Sequence, residues 1–145
     1  MAITIQQFLQ NLRKLKTELP NAPATDVLSE AAGIFHDSVK ANFARQEDEF
    51  GNHWPPRKDK KQHPLLVLTS QLLNAAGGGA GENQVIQGGR KIILEIDSPE
   101  YAAVHQFGKG KVPRRSFFYL HRSDKGRMDE LVKKRFSEII RGLLR

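Results

Sequence analysis

The chain has 145 residues, of which 39% are hydrophobic and 27% charged, and its formal net charge is +7. This length fits one domain over residues 1–145 with a single hydrophobic core. No stretch approaches the roughly 18 apolar residues that a membrane span requires, and the first residues lack the order of a signal peptide. We therefore expect no membrane partner and synthesis in the cytoplasm. The absence of Cys excludes disulfides and thiolate metal sites.

The positive charge is concentrated at the C-terminal end of the chain. Residues 109–145 contain twelve Lys or Arg against four acidic residues, whereas residues 1–108 contain eleven against twelve. A basic region of this kind attracts nucleic acid, anionic lipid or an acidic protein surface. Charge alone does not choose among these partners.

Two helices are predicted at the N-terminal end. Apolar residues recur at helical spacing over residues 5–15, and a second helix begins at a cap supplied by Thr25 or Asp26. The second helix is expected to run to about Gln46. Gly33 lies within it at a cost in helix stability, which predicts that a neighbouring helix approaches closely there.

A long loop is predicted at about 47–64, where three prolines, a glycine and a run of charges interrupt all periodicity. Loops of this length are often functional or mobile. Phe50 and Trp54 are expected to anchor its first half to the body of the protein. The charge run Arg57–Lys61 is interpreted as a solvated loop tip in preference to a binding site.

A short helix and a β-hairpin are predicted in the middle of the chain. Residues 65–68 are apolar and lead into a short helix, which a hydroxyl residue at 69 or 70 caps. The glycines at 77–81 are interpreted as a flexible joint. Strands over 85–86 and 91–97 are separated by a Gly-Gly turn, which is typical of a hairpin.

The last third of the chain completes an α+β pattern. A short helix over Glu100–Phe107 is expected to stop at Gly108, and the apolar residues 116–120 form a possible third strand. A residue at 123 or 124 caps a final helix that runs to about Leu144. The prediction is an α+β fold with two N-terminal helices, a small antiparallel sheet, short helices and a long C-terminal helix.

No pattern of reactive residues predicts an enzyme. The five His include no close pair, and no Ser has the G-x-S-x-G context of a hydrolase. The glycines at 77–81 lack the Lys-Ser/Thr of a phosphate-binding loop. His105 is expected to be a buried or interface residue rather than a catalytic base. We therefore predict no catalytic residue, no metal and no cofactor.

The basic loop at about 108–116 has two interpretations. Its cations, with the aromatic residues 117–119, suit the binding of single-stranded nucleic acid by charge and stacking. However, Phe117 and Phe118 lie in an apolar run, and Arg is favoured at protein interfaces. We favour a protein interface with 108–112 as a mobile hinge. The predicted interface residues are Tyr101, His105, Gln106, Phe107, Lys109, Lys111, Arg114 and Arg115.

Four motifs occur in an order that resembles a known family. They are FGNHWPP at 50–56, HPLLVLTSQL at 63–72, YAAVHQFG at 101–108 and VPRRSF at 112–117. Together they are similar to the phage virion morphogenesis, or tail completion, family, which includes small virion proteins of the Mu protein G and P2 protein S type. That family usually has Gly at the position of Ser70 and Pro at the position of Ser116.

The resemblance implies a structural protein of a tailed phage or prophage. Such a protein would act at the neck or tail end of the virion, in tail completion and head–tail joining. It implies a homo-oligomeric ring, expected as a hexamer, whose partners are other neck and tail proteins. In a ring around the DNA path, basic residues could also meet DNA without reading its sequence. The alternative is a nucleic-acid-binding module that uses the basic C-terminal quarter.

Overall fold

The computed structural model describes residues 5–18, 24–59, 64–67, 70–79, 82–96 and 101–143. In chain order, the elements of these residues are α1 (Ile5–Glu18), α2 (Thr25–Arg45), α3 (Gln71–Ala76), β1 (Glu82–Gln87), β2 (Lys91–Ile96), α4 (Tyr101–Phe107) and α5 (Arg122–Leu143). Strands β1 and β2 form a two-stranded antiparallel sheet. The prediction of an α+β fold with a long C-terminal helix is confirmed.

Helix α2 is the centre of the helical layer, since α3, α5 and β2 all contact it. It ends as predicted, because Gln46 adopts the left-handed conformation directly after Arg45. The predicted cap at its start is wrong. Thr25 already lies within the helix, and no side chain caps it. Instead, the backbone of Ala24 donates a hydrogen bond of 2.9 Å to the carbonyl of Gly89, which ties the start of α2 to the hairpin turn.

The core lies between α2, α3, α4 and the segment after the basic loop. Its aromatic centre is Phe43, whose ring centroid lies 5.2 Å from that of Phe117 and 5.9 Å from that of Trp54. Aromatic pairs at such distances add to the stabilisation from burial alone. The fully buried cluster contains Val39, Phe43, Trp54, Leu72, Ala76, Ala102 and Phe117.

The predicted third strand at 116–120 is wrong, and the reason is the set of partners that α2 supplies. The Asn42 side chain donates to the carbonyls of Phe117 and Tyr119, at 3.1 and 2.9 Å. One turn earlier on the same helix, the Ser38 hydroxyl accepts a hydrogen bond of 2.7 Å from the His121 amide. Because these side chains satisfy its buried backbone groups, the segment needs no strand partner. It bends at Phe118 and Tyr119, where the Tyr119 amide donates a hydrogen bond of 3.2 Å to the Phe117 carbonyl.

The hairpin is confirmed, with Gln87 of β1 paired to Lys91 of β2. Gly88 and Gly89 both have positive φ, at 58° and 64°, a conformation that side-chain-bearing residues rarely adopt. The amide of Arg90 closes the turn by a hydrogen bond of 3.1 Å to the carbonyl of Gln87. The glycine pair therefore determines where the chain reverses.

The glycines after α3 pack closely against α2, which corrects the prediction of a flexible joint there. Gly77 is buried, and a Cβ on it would lie 2.8 Å from the Lys40 side chain and 2.9 Å from the Leu73 carbonyl. Gly78 has a φ of +81°, and a Cβ on it would lie 2.5 Å from the ring of His36. Residues 80 and 81 lie outside the described part of the chain.

Gly33 has no such neighbour, so the predicted close approach at this position is wrong. It is exposed on α2, and nothing lies within 4 Å of a Cβ built on it. Replacement of Gly33 by Ala is expected to raise the free energy of unfolding by about 1 kcal/mol, the difference in helix propensity. Gly78→Ala is the opposing control, since its Cβ would meet the His36 ring. Chemical denaturation of both variants checks the prediction, and a destabilised Gly33→Ala would contradict it.

The two terminal helices leave part of their apolar faces exposed. Helix α5 contacts both α1 and α2, and Leu131 on it is buried. However, Val132 and Phe136 on α5 are 51% and 48% exposed, and Leu9 on α1 is 48% exposed. The apolar stripes that predict these helices are thus only partly covered by the chain itself.

A cationic groove as the candidate functional site

The basic loop is a closed turn rather than the predicted mobile hinge. Helix α4 stops at Gly108, as predicted, where φ is +74°. Beyond it, Lys109 and Val112 exchange two backbone hydrogen bonds, of 3.3 and 3.0 Å, around Gly110. The turn therefore holds Lys111 at its tip in a defined position.

Asp48 organises the start of the long loop, and this displays Phe50 on the surface. The Asp48 carboxylate accepts hydrogen bonds from the amides of Phe50 and Asn52, at 3.0 and 2.8 Å. Burial raises the pKa of Asp48, but the hydrogen bonds from Asn52 and Phe50 outweigh it and hold the pKa below its usual range. Phe50 is 71% exposed, so the prediction that it anchors the loop is wrong.

Trp54 and Arg115 join the long loop to the basic loop. Trp54 is 4% exposed, and its indole N–H donates a hydrogen bond of 2.9 Å to the Ser116 carbonyl. In return, the Arg115 guanidinium donates to the carbonyls of Pro55 and Pro56, at 3.0 and 3.2 Å. Arg115 is only 8% exposed, which changes its predicted role from an intersubunit contact to a tie within the chain.

A groove lies between these two loops. One wall is formed by residues 56–59 and the other by residues 111–113, and the cavity between them has a volume of about 590 Å³. Leu65 and Leu66 supply an apolar floor, together with Tyr101 and His105 from α4. A second cavity of about 380 Å³ shares both walls and extends the groove past Gly110. Ligand-binding pockets in proteins usually combine an apolar lining of this kind with a few precisely placed polar groups.

The groove is cationic. Arg57, Lys58, Lys111 and Arg115 line it, with Asp59 as the acidic residue of the wall. The Asp59 carboxylate lies 2.6 Å from Nε of Arg57, so its charge is already compensated. Within the described residues, no ion pair involves Lys58 or Lys111. The groove therefore has a surplus of positive charge that suits an anionic occupant.

His105 is neutral at physiological pH. Burial lowers its pKa below the usual value, and the nearby Arg115 guanidinium lowers it further. Its Nδ1 atom is buried and has no hydrogen-bond partner among the described residues. The ring packs edge-on to Tyr101, at 6.2 Å between centroids, and helps to fix the floor of the groove.

Arg114 and Gln106 make contacts within the chain. Arg114 pairs with the Glu49 carboxylate and donates a hydrogen bond of 3.3 Å to the Gln106 carbonyl. Burial raises the pKa of Glu49, but hydrogen bonds from its backbone, Ser116 and Arg114 outweigh it, so the pKa lies below its usual range. The Gln106 side chain accepts hydrogen bonds of 3.0 Å from the amides of Phe117 and Phe118. Gln106 thus holds the backbone of the segment that follows the basic loop.

The structure divides the residues predicted as an interface. Tyr101, His105, Lys111 and Arg115 line the groove, whereas Phe107 is 74% exposed at the end of α4. Lys109 is exposed at the base of the basic turn. Tyr101 is 40% exposed and is the most accessible part of the groove floor.

Sequence reasoning missed one wall and the apolar floor of the groove. Arg57 and Lys58 were assigned to a solvated tip, although both line the groove. Leu65 and Leu66 were interpreted only as an apolar entry to α3. The feature that marks this site is the backbone of Leu66, which has a φ of +62°. A strained backbone of this kind leaves no signal in the sequence.

The phenol of Tyr119 gives the fold a pH dependence. It donates a hydrogen bond of 2.9 Å to the Glu47 carbonyl, and burial, with help from the Asp48 carboxylate, raises its pKa to about 12. An unfolded Tyr ionises near about pH 10, so the folded state binds the proton more tightly. The free energy of unfolding should therefore fall as the pH rises from about 10 to about 12.

Chemical denaturation across this range, with Tyr119→Phe as the comparison, measures that effect. The difference in unfolding free energy between the two proteins should shrink as the phenol ionises. A difference that stays constant across the range would contradict the assignment.

The described part of the chain holds no group of three or more His, Cys, Asp or Glu that could bind a metal ion. None of the helices described is long and apolar enough to span a membrane. The fold and the groove thus define a small α+β protein whose surface carries a cationic groove with an apolar floor. The chain belongs to the phage virion morphogenesis family, whose sequence model matches residues 3–137. No curated protein and no solved structure shows a significant match.

Membership confirms the resemblance drawn from the four motifs, and the structure explains two departures from the usual pattern. Ser70, which replaces the usual Gly, has a φ of +57°, and its side chain makes no capping hydrogen bond. This left-handed conformation is the one that Gly adopts without strain. Ser116, which replaces the usual Pro, is 1% exposed, and its hydroxyl accepts a hydrogen bond of 3.2 Å from the Gln106 side chain.

Proposed function

We propose that this protein is a non-enzymatic structural component of a tailed-phage or prophage virion that acts at the neck or tail end. Its role is tail completion and head–tail joining, as a homo-oligomeric ring that we expect to be a hexamer. The observation that carries the proposal is the family match over residues 3–137, since this family serves virion morphogenesis.

The distribution of exposed apolar side chains supports an assembling protein. Phe50 and Phe107 are 71% and 74% exposed, and Val132 and Phe136 are about half exposed. Aromatic residues and Arg are enriched at protein interfaces. Arg114 contacts both Glu49 and Gln106, the residues that directly precede Phe50 and Phe107 in the chain. Several separate patches of this kind suit a ring, where each subunit presents different surfaces to its two neighbours.

Deletion of the gene from the parent phage tests the proposal. The expected result is an accumulation of heads and tails that fail to join, seen by electron microscopy and rescued by the gene in trans. Light scattering of the purified protein should also show an oligomer. Normal infectious particles from the deletion strain would overturn the proposed function.

A nucleic-acid-binding module is the second candidate, and the exposed cations of α5 favour it. Lys125, Lys133, Lys134 and Arg141 are exposed, while Arg127 and Arg135 are engaged in ion pairs. Binding that rests on phosphate contacts must strengthen as the salt concentration falls. A salt titration of duplex DNA binding therefore decides this candidate, and absence of binding at low salt removes it.

A further inference from the structure

The groove between the two loops is preformed rather than assembled by an occupant. Arg115 holds one wall through its hydrogen bonds to the Pro55 and Pro56 carbonyls, at 3.0 and 3.2 Å. The other wall is the turn closed by Lys109 and Val112. Arg115 is also bonded through its amide to the His105 carbonyl, at 2.7 Å, which fixes the groove floor against the walls. A rigid groove avoids much of the ordering cost of binding.

The shape of the groove favours an extended chain. Two cavities, of about 590 and 380 Å³, share the lining residues 56–58 and 111–113 and so form one continuous depression. An extended peptide presents alternate side chains to the two sides of such a groove. A compact small molecule would leave one of the two cavities unfilled.

The chemistry of the lining defines that peptide. Lys58 and Lys111 line both cavities, and both are exposed. Leu65, Leu66 and Val112 line the larger cavity with them and offer an apolar surface. An occupant that satisfies both features carries carboxylates next to an apolar side chain. Nucleic acid fits less well. Successive bases stack on a series of aromatic platforms, whereas the groove offers the ring of Tyr101 with the imidazole of His105 beside it.

We propose that this groove binds an extended acidic segment of another virion protein, an inference that rests on the proposed role in assembly. The apolar side chain of the segment packs on Leu65, Leu66 and Val112. Its flanking carboxylates pair with Lys58 and Lys111. The groove is thus a docking site for a partner strand, distinct from the exposed aromatic patches at Phe50 and Phe107.

Binding of a fluorescent peptide of alternating Glu and Leu, measured by anisotropy, tests the inference. The variant Lys58→Glu/Lys111→Glu reverses the charge of both walls, and Lys14→Glu/Lys16→Glu makes the same charge change on exposed positions of α1. The groove variant should weaken binding about tenfold or more, because the new glutamates repel the carboxylates of the peptide. The α1 variant should stay within about twofold of the unaltered protein. Circular dichroism and thermal unfolding verify that both variants fold.

Three outcomes would overturn the inference. One is an equal loss in both variants, which would mean that only net charge matters. Another is equal or tighter binding of a peptide with Lys in place of Glu. The third is an oligothymidylate that loses affinity in the groove variant while the acidic peptide does not bind, which would assign the groove to nucleic acid.

A phage assay separates this inference from the proposed function. The groove variant, introduced into the deletion strain, is expected to leave particles incomplete, whereas the α1 variant restores them. If both variants restore normal particles, the groove inference fails while the role in assembly stands. If the deletion strain itself makes normal particles, the proposed function fails first.

Discussion

Replacement of Asn42 by Leu is expected to lower the free energy of unfolding by about 2–4 kcal/mol, because a buried carbonyl left without a partner costs about 1–3 kcal/mol. Asn42 is fully buried, and its side-chain amide donates hydrogen bonds to the carbonyls of Phe117 and Tyr119. Leu has a similar volume but no donor, so packing changes little while the Tyr119 carbonyl loses this hydrogen bond and the Phe117 carbonyl keeps only the bond of 3.2 Å from the Tyr119 amide. Urea denaturation of the purified variant measures the loss.

Asn74→Leu is the matched control for this effect. Asn74 lies exposed on α3, so the same chemical change there should alter stability by no more than about 0.5 kcal/mol. A similar loss in both variants would show that the change of residue type, rather than the buried hydrogen bonds, is responsible. A loss of under about 1 kcal/mol in Asn42→Leu would contradict the role assigned to Asn42.

Replacement of Phe117 by Ala is expected to cost about 3–5 kcal/mol, the usual loss for a buried aromatic residue. Phe117 is 1% exposed, and its ring packs between elements that are far apart in the chain, with Phe43 at 5.2 Å. Removal of the ring leaves a cavity at the centre of the aromatic cluster. Since this loss is a large part of the stability of a small domain, the variant should unfold at clearly lower urea concentration.

Phe107→Ala provides the same substitution at a position that is 74% exposed. Its stability should stay within about 0.5 kcal/mol of the unaltered protein. Any effect of this variant on particle assembly would therefore report on surface contact and not on folding. Equal destabilisation by the two substitutions would contradict the assignment of Phe117 to the core.

The α+β pattern was predictable from sequence because its signals are local. The helical periodicity of α2 and α5 and the glycine pair of the hairpin each depend on residues a few positions apart. Helix α5 was placed correctly, but the predicted cap at 123 or 124 is wrong, because the helix already begins at Arg122. The ring of His121 accepts a hydrogen bond of 3.2 Å from the Ser123 amide instead. The order of the four family motifs was also a property of the chain alone, and it led to the correct family.

The apolar segment at 116–120 shows where local signals fail. Its apolar residues predict a strand, but a strand needs a neighbouring strand, and only the fold decides whether one is present. Here, Ser38 and Asn42 of α2 take that place, although they lie more than 70 residues away. Polar residues on the buried face of a helix were the available clue, since buried polar groups require partners.

The residues of the groove were individually visible in the sequence, but their arrangement was not. Lys111 and Tyr101 were expected at a contact surface, whereas Lys58 and Leu66 were assigned to a loop tip and an apolar entry. Arg115 was expected to reach a neighbouring subunit, yet it is buried between two loops of its own chain.

The sequence by itself determined the helices, the hairpin, the family and the location of the basic charge, because each rests on residue identity and short spacing. The tertiary structure decided which of the cations are exposed and which are internal ties. It also decided which aromatic residues form the core and which remain on the surface. These outcomes depend on contacts between residues 43, 54 and 117, or between 55 and 115, and such long-range pairings leave no periodic trace in a single chain.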